Sequence, residues 1–491
     1  MITKEKLKVS EVCTRYKPSY HASVPAGWAN DPNGLIWYNG QAHLFFQHNP
    51  YSTEWGPMHW GHLTSTDLIQ WREQPIAISP DKWYDDYNGC FSGTAIEKNG
   101  KLYLMYTGVT REHQQQCIAF SDDGVHFEKS ALNPVIKTSD LPGGASGRDF
   151  RDPKVFRRDD AYYCIIGTSM NGQGNLLLYR SHDFEKWSYI GYLMEGSDLP
   201  DHQPVAGVYE CPDIQNIDGQ EILFASPQHL PKDGCRFQNT QSSVWMAGTL
   251  DHKTGHFTYD RFHELDSGFD FYAPQTMCLP DGRTVLIAWK EQWGRSYPTA
   301  VDNWVGSFTL PRQLTYQDGH LYQSPIQEIV NYRRGRIAAH DVEIPCDGKL
   351  AIDGVIGNRV ELILTFSLRD SAQVGVKLFC GEATETLLYY DRITKKFVFD
   401  RSKSGLAITG QEDDTAVRVC EVTDTDRLSL HIFLDVSCVE VFIQNGYSVM
   451  TGNVYADTKR DVGIEFYSVG GSAVIDELVK YDIIVEDNDL T

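Results

Sequence analysis

Apolar and polar residues alternate in short runs along most of the chain, and turn residues interrupt the runs at even intervals. Five segments read as β-hairpins, each a turn between two apolar or aromatic strands: LIWYNGQAHLFFQ, TAIEKNGKLYLMYTG, KVFRRDDAYYCIIGT, DIQNIDGQEILFAS and MCLPDGRTVLIAWK. Their turns are Asn39-Gly40, Asn99-Gly100, Asp159-Asp160, Asp218-Gly219 and Asp281-Gly282, spaced by 60, 60, 59 and 63 residues. Three units carry a later Ser-x-Asp-x-x-x-aromatic element, starting at Ser65, Ser121 and Ser181, which places a second turn in the outer part of each unit. A period near 60 with about four strands per unit predicts a five-bladed β-propeller.

The pattern changes after Leu310-Pro311-Arg312. Over 324–334 the sequence SPIQEIVNYRR predicts a short helix, with Ser324 as N-cap, Pro325 in its first position, Gln327 completing a capping box and Gly335 ending it. Ile326, Ile329 and Val330 would form its apolar face. Short alternating strands then return (VELILTFSL, VGVKLF, FVFD, LSLHIFLD, CVEVFIQ, VGIEFY), with a hairpin signal at Asn445-Gly446. They predict a β-sandwich. The expected organisation is therefore all-β: a propeller over 18–315, a linker with a short helix over 316–337, and a sandwich over 338–491, ending in an acidic tail.

Composition narrows the function classes. The formal charge is −22, which disfavours nucleic-acid and anionic-membrane partners and suits a small neutral or anionic ligand in a local site. The aromatics, 11 Trp, 26 Tyr and 22 Phe, suit β-rich cores and sugar-binding clefts. The first residues lack an apolar secretory segment, no stretch reaches the length of a membrane span, and 11 scattered cysteines form no CxxC pair. A reducing cytoplasm is the expected setting, with most thiols buried.

A polar motif precedes the first hairpin strand of every unit: WANDPNG, CFSGT, FRDPK, YECPD and FYAPQ. Its leading polar residues, Asp31, Ser92, Asp152, Glu210 and Tyr272, are 61, 60, 58 and 62 residues apart. Equivalent positions in successive blades lie on one ring, so these side chains are expected to converge at one end of the central channel. Three carboxyls in one pocket point to glycosidic-bond chemistry, in which one carboxyl attacks or activates water and another protonates the leaving oxygen. Amides around Asn30 and Pro32-Asn33-Gly34 would keep Asp31 ionised, Arg151 would keep Asp152 anionic, and Glu210, with no base beside it in sequence, suits a general acid.

These motifs, with EWGPMHWGH at 54–62 between the first two, resemble glycoside hydrolase family 32, the family of invertases, sucrose-6-phosphate hydrolases, levanases and inulinases. DVSCVEVFIQNG at 435–446 resembles a recurring motif of that family's C-terminal sandwich. The resemblance implies a retaining β-fructofuranosidase with Asp31 as nucleophile, Asp152 as transition-state stabiliser and Glu210 as acid/base. It also implies a fructose subsite lined by Asn30, Gln47, Trp55, Phe91, Ser92 and Arg151, and requires no cofactor or metal. Tyr272, from the ring, and Trp289, at the end of a unit-five strand, are further binding candidates. One departure is Ala29, where the family's first motif has Met; the shorter side chain is expected to loosen the pocket wall. The partner is a small carbohydrate: sucrose, sucrose 6-phosphate or short fructo-oligosaccharides. A fructosyltransferase has the same residues and a sugar acceptor, and a non-catalytic glycan-binding propeller would not need all three acids.

Other residues have plainer readings. His43, His48, His59 and His62 crowd one stretch but lack a zinc signature and are expected to pack within strands and turns. Trp60, Trp71 and Trp293 fit a core. Lys232, Arg236 and Lys290 are the candidates for a phosphate contact near the channel mouth.

Overall fold

The computed structural model describes residues 5–194, 207–259, 261–410, 416–423 and 425–486. Five antiparallel sheets follow one another along the chain and form the five blades of a propeller. Their innermost strands are Gly27–Tyr38, Gly89–Lys98, Ala145–Arg158, Tyr209–Ile217 and Tyr272–Cys278. Each hairpin turn lies where the sequence places it. Asn39, Asn99, Asp159 and Asp218 adopt positive φ, the conformation that tight two-residue turns require.

The outer Ser-x-Asp elements are one repeated turn. Ser65, Ser121 and Ser181 each donate to the aspartate two residues on, at 3.0, 2.9 and 3.1 Å. That aspartate (Asp67, Asp123 or Asp183) then accepts the backbone N–H groups two and three residues further along. The ring closes through Trp304–Val305, a short strand in the connection between the second and third strands of blade five, which pairs parallel with Gly27-Trp28 of blade one.

The linker begins later than the sequence suggests. His320–Pro325 pairs with Arg312–Gln317 as the outer edge of blade five, so Ser324 and Pro325 are strand residues and neither caps a helix. After that strand comes a single 3₁₀ segment, Gln327–Tyr332, without a side-chain cap. Ile326 and Ile329 are buried, but Val330 is exposed. Gly335 lies in a sandwich strand at a break in its register, with positive φ. Ladder bonds to Arg312 and Gln313 outweigh the local capping signal, because a helix starting at 324 would forfeit them.

Two six-stranded sheets form the sandwich. The first strand, Arg333–Ile344, pairs with the last, Ala473–Ile483, so the sandwich includes residues read as linker. The acidic tail at 487–491 lies outside the described residues. A buried ionic network joins propeller to sandwich. Asp435 accepts the backbone N–H groups of Ser19, Tyr20 and His21 and the His21 ring. Glu440 binds the other His21 nitrogen at 3.0 Å, Arg312 at 2.7 Å and the Leu310 N–H at 2.7 Å. Both acids belong to DVSCVEVFIQNG, so that motif is the sandwich's grip on the propeller.

Candidate active site

Each innermost strand breaks its register at the polar motif. The breaks fall between Ala29 and Pro32, Phe91 and Gly93, Arg151 and Lys154, Glu210 and Asp213, and Tyr272 and Gln275. A bulge sets extra residues against the partner strand and re-aims their side chains. Asp152, Cys211 and Ala273 take positive φ at these bulges, at 64°, 47° and 51°. Five equivalent distortions therefore turn five motifs toward one end of the channel.

The ring residues meet there. Asp31 Oδ2 accepts from Ser92 Oγ at 2.7 Å and lies 3.5 Å from Cys211 Sγ, while Asp31 Oδ1 has no hydrogen-bond partner among the described residues. Asp152 Oδ2 accepts the Cys211 N–H at 3.0 Å, and the Asp152 N–H donates to Thr107 Oγ1. Glu210 is held from both sides. Arg151 donates from Nε and Nη2 to Oε1 at 3.1 and 2.9 Å, and the Tyr272 hydroxyl donates to Oε2 at 2.6 Å.

This geometry corrects the sequence-based account of the charges. Of the expected amides, Asn30 bonds Asp31 but Pro32-Asn33-Gly34 does not, and Ser92 and Cys211 are the further donors. Burial, with the negative Glu210 beside it, pushes the Asp31 carboxyl upward, and bonds from Ser92, Asn30 and Cys211 pull against that push. Burial also pushes Asp152 upward. Arg151 opposes this, while Glu210 and Asp31 add to it. Arg151 donates to Glu210, Gln114 and Asp149 and not to Asp152, so Glu210 does have a base against it, brought from the neighbouring blade.

A cavity of about 370 Å³ opens over these groups. Of the binding candidates, Asn30, Gln47, Trp55, Phe91, Ser92 and Arg151 line it. Trp28 Nε1 donates to Asn30 Oδ1, and Gln47 Nε2 donates to the Cys90 carbonyl, so both amides are fixed in orientation. Trp55 stands edge-on to Phe91 at the rim. Two candidates fall elsewhere. Tyr272 is buried beneath the pocket and reaches it only through Glu210. Trp289 is fully buried, its N–H bonded to Glu291, and it packs edge-on against Trp293. Trp293, which fitted a core, lines the pocket with Trp289 behind it.

Gln114, Gln228 and Gln241 also line the cavity and have no motif of their own. Gln114 opens the run Gln114-Gln115-Gln116, whose side chains are all buried. Three buried glutamines in a strand are a polar signal that periodicity alone passes over. Ala29 packs against Gly306 in the core and does not line the pocket. Its smallness serves that close approach, and the pocket wall is not loosened.

The chain matches the "Glycosyl hydrolases family 32 N-terminal domain" over residues 21–325 and the "Glycosyl hydrolases family 32 C terminal" domain over 328–482. It belongs to glycoside hydrolase family 32. Within the family, it is 34% identical to a sucrose-6-phosphate hydrolase of Zymomonas mobilis, over 96% of this chain and 93% of the relative. A family 32 β-fructofuranosidase of Bombyx mori, solved in complex with sucrose, superposes with a TM-score of 0.81 at 33% identity, over 96% of this chain and 95% of that one. A sucrose-6-phosphate hydrolase from Lactobacillus gasseri superposes with a TM-score of 0.86 at 29% identity, over 97% and 96%.

The remaining candidates do not line the family 32 pocket. Lys290 is fully buried, its carbonyl accepting from the sandwich's Asn453. Arg236 pairs with Asp233, and Lys232 is exposed. His43 and His62 hydrogen-bond each other at 3.0 Å, while His48 and His59 bond backbone carbonyls. No helix among the described residues is long and apolar enough to cross a membrane.

Proposed function

We propose that the protein is a retaining β-fructofuranosidase that hydrolyses sucrose or sucrose 6-phosphate, with short fructo-oligosaccharides as further substrates. The observation that carries this reading is the pair of carboxyls over one cavity, Asp31 with an oxygen left unpartnered and Glu210 oriented by Arg151 and Tyr272. Asp31 attacks the anomeric carbon of the fructosyl unit while Glu210 donates a proton to the glycosidic oxygen. A covalent fructosyl-enzyme forms and the first sugar leaves. Glu210 then takes a proton from water, which attacks the same carbon and releases fructose. Asp152 accepts hydrogen bonds from fructose hydroxyls, which strengthen as positive charge builds in the ring.

The test is turnover of sucrose and sucrose 6-phosphate side by side, with product analysis. Hydrolysis gives fructose in equal amount with glucose or glucose 6-phosphate. Oligosaccharides in place of free fructose would identify a transferase instead.

Two variants probe the roles. Asp152→Asn keeps the shape and removes a charge that matters most at the transition state, so kcat should fall far more than KM rises. A pure KM effect would make Asp152 a ground-state contact only. Glu210→Gln should be slow on sucrose and regain most of its rate on a fructoside whose leaving group needs no proton. It should also flatten the alkaline limb of the pH profile, because the wild type needs that proton for the first step. An alkaline limb that persists in the variant would move the acid role to another residue.

A further inference from the structure

Among the described residues, four aromatic side chains are exposed: Trp55, Trp83, Tyr87 and Tyr447. Trp55 stands at the cavity mouth, and Trp83 and Tyr87 lie on the chain segment that leads into the blade-two inner strand. Trp55, 41% exposed, is on the loop between the second and third strands of blade one and lines the cavity rim. Met58, at the end of that loop, bridges to Gly89, the first residue of the blade-two inner strand, and its N–H donates to the Asn88 carbonyl. This sets Tyr87, 50% exposed, beside the Trp55 loop. The Tyr87 N–H donates to the Val109 carbonyl, and the Arg111 guanidinium lies 5.6 Å from the Tyr87 ring centre. Further out, Trp83 is 66% exposed and stands edge-on to the buried Tyr84.

The loop that presents Trp83 and Tyr87 is anchored from below. Asp85 is fully buried and accepts from the Lys82 N–H at 2.9 Å, the Tyr106 hydroxyl at 3.0 Å and Lys129 at 2.5 Å. Lys129 also bonds Asp81 at 2.7 Å. Two large rings are thus held toward solvent on a braced loop, an arrangement that folding alone does not reward.

From this we infer that Tyr87 and Trp83 form an extended sugar-binding track, continuous with the rim at Trp55, for the leaving-group side of neutral oligosaccharides longer than a disaccharide. The inference rests on the β-fructofuranosidase reading. With the fructosyl end in the cavity, the leaving group points out of the mouth, and its further units pass over the blade-two edge. Flat rings receive the apolar faces of sugar units, and Arg111 offers donors to their hydroxyls. Lys82 pairs with Asp81, Lys129 pairs with Asp81 and Asp85, and Asp86 offsets Arg111, so the track offers no net positive charge to a phosphate.

The experiment compares kcat/KM for sucrose, the trisaccharide 1-kestose and the tetrasaccharide nystose in the wild type, Trp83→Ala, Tyr87→Ala and the double variant. Sucrose turnover should stay within about twofold. Tyr87→Ala should lower kcat/KM for 1-kestose about fivefold, and the double variant should lower that for nystose about tenfold. Tyr87→Phe and Trp83→Phe, which keep a ring face, should recover most of the loss. Equal losses on all three substrates, or none on the longer two, would overturn the track. So would a wild type that cleaves sucrose but neither oligosaccharide. Failure on sucrose itself would instead remove the underlying reading.

Discussion

Asp31→Ala should abolish turnover, with fructose release falling about 10⁴-fold or more while the far-ultraviolet circular dichroism stays unchanged. Alanine leaves no group to form the covalent intermediate, and no neighbouring carboxyl is placed to substitute. Asp152 Oδ2 is tied to the Cys211 N–H, and Glu210 is clamped by Arg151 and Tyr272. The fold should not suffer. Burial and the negative Glu210 already disfavour the charged Asp31, so removing the carboxyl relieves repulsion in the ring. The thermal midpoint should hold or rise. Fructose release near the wild-type rate would take the nucleophile role from Asp31, and lost circular dichroism would give the residue a structural role instead.

Glu440→Ala should destabilise the protein by about 3–5 kcal/mol, read as a lower urea midpoint. Glu440 is fully buried, and its two oxygens hold His21, Arg312 and the Leu310 N–H across the domain boundary. Truncation leaves Arg312, also fully buried, with Asp266 as its only acidic partner at 3.0 Å and leaves His21 Nε2 without its carboxylate partner. The residue is far from the cavity in sequence and function. KM for sucrose in the folded fraction should therefore match the wild type. An unchanged urea midpoint would mean that the network adds nothing to the joining of the two domains.

The candidate site was legible in the sequence to the extent that it repeats. Asp31, Ser92, Asp152, Glu210 and Tyr272 share a step near 60 residues, and a propeller converts equal steps into one ring. Position therefore followed from spacing, but partnership did not. Arg151 adjoins Asp152 in the chain, yet the blade-three bulge turns it across to Glu210 of blade four. Trp289 and Trp293 are four residues apart and chemically alike. One ends a strand inside the core and the other lies on the loop beyond it, facing the cavity. Gln228 and Gln241 bridge each other in the connection between two strands of blade four, and Gln114 of blade two joins them only when the blades close.

The sequence by itself determined the blades, their number, the two-domain order and the convergence of the acids. Strand alternation and two-residue turns are local, each specified by a few neighbouring residues. Only the tertiary structure decided which base pairs with which acid, where the last blade ends and what the sandwich motif holds. Ser324 and Pro325 carry a sound helix-start signal, but the ladder to Arg312 and Gln313 takes them into a strand. Asp435 and Glu440 read as one sandwich motif, yet their partners at Ser19, His21 and Arg312 lie more than 100 residues away. Such pairings depend on bulge geometry and on the closing of the ring between Trp304–Val305 and Gly27-Trp28, and both are set by packing across blades, which leaves no periodic trace in the chain.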